Sequence, residues 1–138
     1  MQIKSFLKPA QELRRGFKNP KRLGYVAQYS CVCCEMLNQR QKTRLNVHHL
    51  AGIGAGLKAS DLLTFPLCET HHSLLHSGIA QFEKEFKPQF EFIGMINQRI
   101  MLDNFLSPKD LWHCELVSDW VDAQKQERKE RLQLAIAI

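Results

Sequence analysis

Nothing in this 138-residue chain is apolar for the roughly 20 consecutive residues that a bilayer crossing needs, so no membrane partner is expected. The opening stretch MQIKSFLKPAQELRRGF lacks the apolar h-region of a secretory signal, and residence in the cytosol is expected. There is no internal repeat and no low-complexity tract. The glycine-rich stretch AGIGAGLKAS at 51–60 lacks the Gly-Lys-Ser/Thr ending of a Walker loop, which argues against a nucleotide site. Acids are scarce in the front half: residues 1–50 carry ten Lys/Arg and two Asp/Glu, whereas residues 51–138 carry nine and twelve. A basic front half suits a polyanion, nucleic acid being the commonest. The alternative is a solvated basic surface.

Cysteine and histidine are plentiful and clustered. Four of the five cysteines and five of the six histidines fall between Cys31 and His76, in SCVCC at 30–34, VHH at 47–49 and PLCETHHSLLH at 66–76. In a reducing cytosol such clusters read as metal ligands before disulfides. A single domain of this size has a modest core that a metal staple would strengthen.

The chain divides into a basic arm (1–28), a core (29–106) and a C-terminal helix (107–138). Pro9, Gly16, Pro20 and Gly24 break the arm into pieces with at most a turn or two of helix around 9–16, and Tyr25, Val26 and Tyr29 anchor its end. Residues 44–50 alternate as a strand does. Residues 61–67 form a short apolar segment ended by Pro66. A helix is expected from Glu69 or Thr70 to about Ser77, stopped by Gly78. A short helix over 79–86 turns Ile79, Phe82 and Phe86 to one side. Residues 89–102 suit a buried helix with Phe92, Met95, Ile96 and Ile100 inward. Ser107-Pro108-Lys109-Asp110 is a strong helix start; beyond it, Trp112, Leu116, Val117, Trp120 and Val121 are the expected apolar face. His113 and Cys114 are read as packing residues. The apolar end LQLAIAI either packs on the same domain or pairs with a second copy as a homodimer. The expected class is α+β and mostly helical.

Spacing suggests two metal sites on one helix. His72 and His76 project one turn apart from one face and can share an ion. His71 lies about 100° round the axis and pairs with Cys68 as a second knuckle. With the C-x-x-C of Cys31 and Cys34, these make a closed, structural Cys₃His zinc site. Cys33 is the spare thiol, although it could exchange with Cys31 or Cys34. His48, His72 and His76 make an open site with room for water and substrate. On a regular strand His48 and His49 face opposite ways; both reach one site only if the strand ends there, as Ala51-Gly52 would allow.

The order C-x-x-C, V-H-H-L, L-C-x-x-H-H-x-x-x-H resembles the HNH, or ββα-metal, endonuclease family, and most closely its zinc-knuckle branch. The stretch 48–76, with QFEKEF after it, is similar to phage-borne members, among them the RecA-dependent Ref-type nucleases. The resemblance covers about residues 28–90. It implies a short β-hairpin plus helix, stapled by the Cys₃His zinc and flanked by helices. It implies His48, His72 and His76 as ligands of a catalytic Mg²⁺, Mn²⁺ or Zn²⁺, and His49 as general base. The family's middle asparagine orients the base, but no asparagine lies between Asn46 and Asn97. Asp61 is the nearest polar substitute, able to accept the N–H of His49. His71 stands where a cysteine is more usual.

The expected function is then a metal-dependent DNA endonuclease in phage or prophage recombination or DNA processing, in a bacterial host's cytosol and with a recombinase filament as a candidate partner. Phosphate contacts would come from Arg14, Arg15, Lys18, Lys21 and Arg22 on the arm, and from Arg40, Lys42, Arg44 and Lys58. The alternative is a zinc-stabilised DNA-binding module without catalysis. A third reading is an interaction protein using the LQLAIAI tail.

Overall fold

The computed structural model describes residues 10–54 and 58–137. The start of the basic arm with Lys4 and Lys8, the middle of the glycine-rich loop and Ile138 lie outside the described residues. The fold is α+β and largely helical. After a short 3-10 turn at Gln11–Leu13 come α1 (Pro20–Val26), α2 (Val32–Met36), β1 (Leu45–His49), β2 (Thr64–Cys68), α3 (Glu69–Ser77), α4 (Ile79–Glu85), α5 (Gln89–Asp103) and α6 (Pro108–Ala137). Among the described residues, no helix is long and apolar enough to cross a membrane.

β1 and β2 form a two-stranded antiparallel sheet in which Leu45 faces Cys68 and His49 faces Thr64. Pro66 was expected to end its segment; it sits inside β2 opposite Val47. A two-stranded sheet has only edge strands, so a proline can turn its missing donor outward. β2 is buried throughout, and α3 follows it with no linker. Phe65 and Leu67 of β2, Leu75 of α3, Phe82 of α4, Phe92, Ile93, Ile96 and Ile100 of α5 and Val117 of α6 form the dry centre. Gly94 lets α6 come close to α5: a Cβ there would stand 3.2 Å from Val121 Cγ1.

The segment expected to be a broken arm is in part a docked helix. Asn19 caps α1 through a hydrogen bond to Arg22 N, Pro20 takes the first position, and Gly24 lies within the helix. Tyr25 and Tyr29 donate to Asp110 (3.0 Å) and Asp103 (2.9 Å), anchoring the end of the segment as anticipated. Arg22 is not available for phosphate. It is 3% exposed. Its Nη2 donates to Asn97 Oδ1 (3.0 Å) and Leu62 O (3.4 Å), and its Nη1 to Cys114 Sγ (3.4 Å). Asn97 in turn donates to Cys114 O and Ser118 Oγ. A buried cation is costly unless its donors are used; here Nη1 and Nη2 tie α1 to α5 and α6, while the buried Nε has no partner among the described residues.

The start of α6 is as expected, with Ser107 Oγ accepting from Asp110 N at 3.1 Å. Its inner face differs. His113, Cys114, Leu116, Val117 and Val121 are buried, while Trp112 is 50% exposed. The reading of LQLAIAI as packed on its own domain is overturned, because Leu132, Leu134 and Ile136 are all exposed. Among the described residues beyond Val121, Gln124 alone is half-buried and the rest are exposed.

Arg22→Met should remove the donors that Asn97 and Leu62 O rely on. The expected loss is about 1–3 kcal/mol of unfolding free energy, read by urea titration with zinc present. An unchanged midpoint would mean that the guanidinium network contributes no net stability.

Candidate metal centre

Two histidine faces of α3 look to opposite sides. His71 is buried toward the cysteines, whereas His72 is half-buried and His76 exposed. This is the helical register at work: neighbours on a helix diverge by about 100° and residues four apart realign.

On the inner side, Cys31, Cys34, Cys68 and His71 each bring one donor atom within 4.8 Å of all the others. Cys34 Sγ lies 3.9 Å from Cys68 Sγ. His71 Nδ1 lies 3.4, 3.6 and 3.1 Å from the sulfurs of Cys31, Cys34 and Cys68. Zinc bonds of about 2.3 Å to sulfur and about 2.0–2.1 Å to nitrogen put tetrahedral neighbours about 3.6–3.8 Å apart. The donor set therefore fits zinc, and the cluster could hold such an ion. Cys33 is buried but lies outside it, so the knuckle uses Cys31 and Cys34.

The two knuckles are helix starts. Cys31 is the N-cap of α2 and Cys68 the N-cap of α3, where free backbone N–H groups favour negative charge. The Cys33 thiol, against the cost of burial and with help from the backbone N–H groups of Cys68, Cys34 and Cys33, holds the Cys31 thiol below the usual thiol range. Burial, then the hydrogen bond and charge of Cys31, push Cys34 up. Without a cation, one thiolate thus suppresses the next. A divalent ion removes that conflict.

On the outer side, one nitrogen from each of His48, His72 and His76 also comes within 4.8 Å of the others. The Nε2 atoms of His72 and His76 are 3.0 Å apart. Two nitrogens at about 2.1 Å from one ion and in adjacent coordination positions stand about 3.0–3.4 Å apart, so this donor set also fits a divalent cation. The rings of His72 and His76 lie 5.1 and 5.6 Å from that of His48. Burial, opposed in part by a hydrogen bond to Gln89, pushes His48 down to about 4. It is neutral at neutral pH, as a ligand must be.

His48 and His49 both belong to the regular part of β1 and pair with Phe65 and Thr64. The strand does not end early to bring them together. His48 faces His72 and His76, and His49 faces Asp61, with His49 Nε2 2.7 Å from Asp61 Oδ1. Asp61 is itself held: Asn19 N–H donates to its Oδ2 at 2.7 Å, and its own N–H donates to Phe17 O. A carboxylate only accepts, so His49 Nε2 is the donor, which in a neutral imidazole leaves the lone pair at Nδ1.

Arg14, Arg15, Lys18, Lys21, Arg40, Lys42, Arg44 and Lys58 are all exposed. Lys21 is engaged with Asp110 at 2.6 Å. Gly16 N–H donates to Lys58 O, and a Cβ on Gly54 would come 3.5 Å from Arg15 Nη1. Arg14, Arg15, Lys18 and Lys58 thus border the segment that carries Asp61. Arg40, Lys42 and Arg44 lie at the other end of β1, where Arg44 O accepts from Glu69 N–H. Arg22 belongs to neither group, being buried.

Sequence reasoning missed two residues here. Asn19 steadies Asp61, and its signal was the Asn-Pro pair that opens a helix. Gln89 bonds His48 Nε2 at 3.0 Å, and a glutamine after a proline gives no pattern to find it by.

Cys68→Ser should lower the zinc content by one equivalent, measured by elemental mass spectrometry, and the unfolding temperature by about 10 °C or more. His72→Ala should leave that zinc in place. Equal zinc loss from both variants would contradict two separate sites.

No solved structure matches this chain. A protein from Escherichia coli (strain K12), named "Uncharacterized protein YdfU", is 36% identical over 83 residues, which are 58% of this chain and 22% of that protein. The chain thus spans about a fifth of the length of the curated relative it matches. Residues 4–103 match the family described as "Protein of unknown function (DUF968)". That span is well over half of the chain, which accordingly belongs to the DUF968 family.

Proposed function

We propose that this protein is a metal-dependent DNA endonuclease of the HNH type. The observation that carries the reading is a pairing of two arrangements across one short strand. His48, His72 and His76 converge as a donor set for a cation, and the adjacent His49 is held through Nε2 by Asp61, which directs Nδ1 of a neutral ring to act as base. Two strands followed directly by a histidine-bearing helix are consistent with a ββα-metal core.

A divalent cation at the triad would polarise a scissile phosphate and neutralise charge on the leaving oxygen. The chain's own residues supply the rest. His49 Nδ1 takes a proton as water adds to phosphorus, and the bond to O3′ breaks. Asp61 keeps Nε2 protonated and stabilises the imidazolium that results. Among the described residues no carboxylate joins the three imidazoles, which favours one cation over two. Exposed Arg14, Arg15, Lys18 and Lys58 border the Asp61 side and suit backbone phosphates. Work in phage or prophage recombination, in a bacterial host's cytosol and beside a recombinase filament, is the setting that the resemblance to Ref-type nucleases implies.

The Cys₃His cluster, together with these exposed cations, also favours a second reading: a zinc-stabilised DNA-binding module without catalysis. One variant separates the two. His49→Ala should reduce nicking of supercoiled DNA in Mg²⁺ or Mn²⁺ by about 10²–10⁴-fold, with metal content and DNA affinity retained. If wild type and variant nick equally, or neither does, the endonuclease reading fails and the binding module stands.

A further inference from the structure

We infer that Gln89 is the positioning residue that makes His48 a cation ligand, by dictating which ring nitrogen carries the proton. The inference rests on the reading of His48, His72 and His76 as a cation site.

Gln89 opens α5 and is 3% exposed. Its backbone N–H donates to Glu83 Oε2 at 2.8 Å, which seats the residue. Its side chain meets the backbone of Ala51 twice: Ala51 N–H donates to Oε1 (2.9 Å) and Nε2 donates to Ala51 O (3.2 Å). An amide can be placed either way round on shape alone. Here a backbone donor and a backbone acceptor leave one orientation, with the oxygen at Oε1. That same oxygen is 3.0 Å from His48 Nε2. A ring nitrogen facing an acceptor must donate, so His48 Nε2 holds the hydrogen. A neutral imidazole has one N–H, and the lone pair is therefore at Nδ1.

The logic runs from main chain to metal. Ala51, two residues after β1, fixes the amide; the amide fixes the tautomer; the tautomer leaves Nδ1 for a cation. A partner on the second nitrogen also orients the ring and raises its basicity as a ligand. Satisfying Ala51 alone would need only two of these contacts. The third, to His48, is what a purely structural glutamine would not require.

Two variants and two readouts test this. Gln89→Met keeps the length and loses the acceptor, while Gln89→Glu keeps an oxygen for His48 and for Ala51 N–H. Cobalt(II) is titrated into the zinc-loaded protein, where binding at imidazoles lacks the intense thiolate charge-transfer band of the cysteine site. The second ion should bind about 10–100-fold more weakly to Gln89→Met, and Gln89→Glu should recover most of the affinity. The ¹⁵N shifts of the His48 ring, read without the second ion, should show the Nε2–H form in wild type and a mixture in Gln89→Met. Wild-type affinity in Gln89→Met overturns the inference, as does an Nδ1–H His48 in the wild type, which needs no variant to fold. Failure of the zinc-loaded wild type to take cobalt as a second ion at all would instead overturn the cation site, and the endonuclease reading with it.

Discussion

Three sulfurs and an imidazole nitrogen crowded within 4.8 Å of one another form a closed donor set that one cation could join. The rest of the molecule is arranged around that constraint. Cys31 and Cys34 come from α2, Cys68 ends β2, and His71 sits in the first turn of α3. Holding these four together pins the start of α3 and, through it, the direction in which His72 and His76 leave the helix. The sheet adds the opposing wall, since pairing of His48 with Phe65 sets the height at which its ring meets them.

Two periodicities then sort five histidines into three environments. The helix sends His71 inward and His72 and His76 outward. The strand sends His48 toward α3 and His49 toward Asp61. Neither separation needs a loop or a special backbone conformation. Asp61 depends on the N-terminal segment, because Asn19 N–H holds its second oxygen. The basic side chains of 14–18 are carried on the same segment, so its docking serves both the pair and its surroundings. Arg22 does that docking from within the core.

Much of this was legible in the residues. Identical ligand types at helical and knuckle spacing identify both donor sets, because metal ligands must be particular side chains at particular intervals. The stops and starts at Gly78 and Ser107-Pro108 are equally local. What escaped was tertiary. Arg22 looks like its exposed neighbours, and only the positions of Asn97 and Cys114 show that it is buried. Pro66 reads as a breaker until β2 proves to have a free edge. Trp112 reads as inward on apolarity, but Arg22 of α1 and Asn97 of α5 meet α6 at Cys114, and Trp112 is left half exposed. Gln89 has no local signature; its meaning comes from Ala51 and His48, 38 and 41 residues away. Asp61 was found from the sequence because the resemblance supplied a role and the chain offered few residues to fill it.

The central claim is that α3 serves two cations, one from each side. Anomalous scattering at the zinc and manganese edges, from crystals of the zinc-loaded protein soaked in manganese, tests it most directly. The account predicts a zinc peak among Cys31, Cys34, Cys68 and His71, and a second metal peak among His48, His72 and His76. A zinc peak alone, with the three imidazoles turned away from one another, would contradict it.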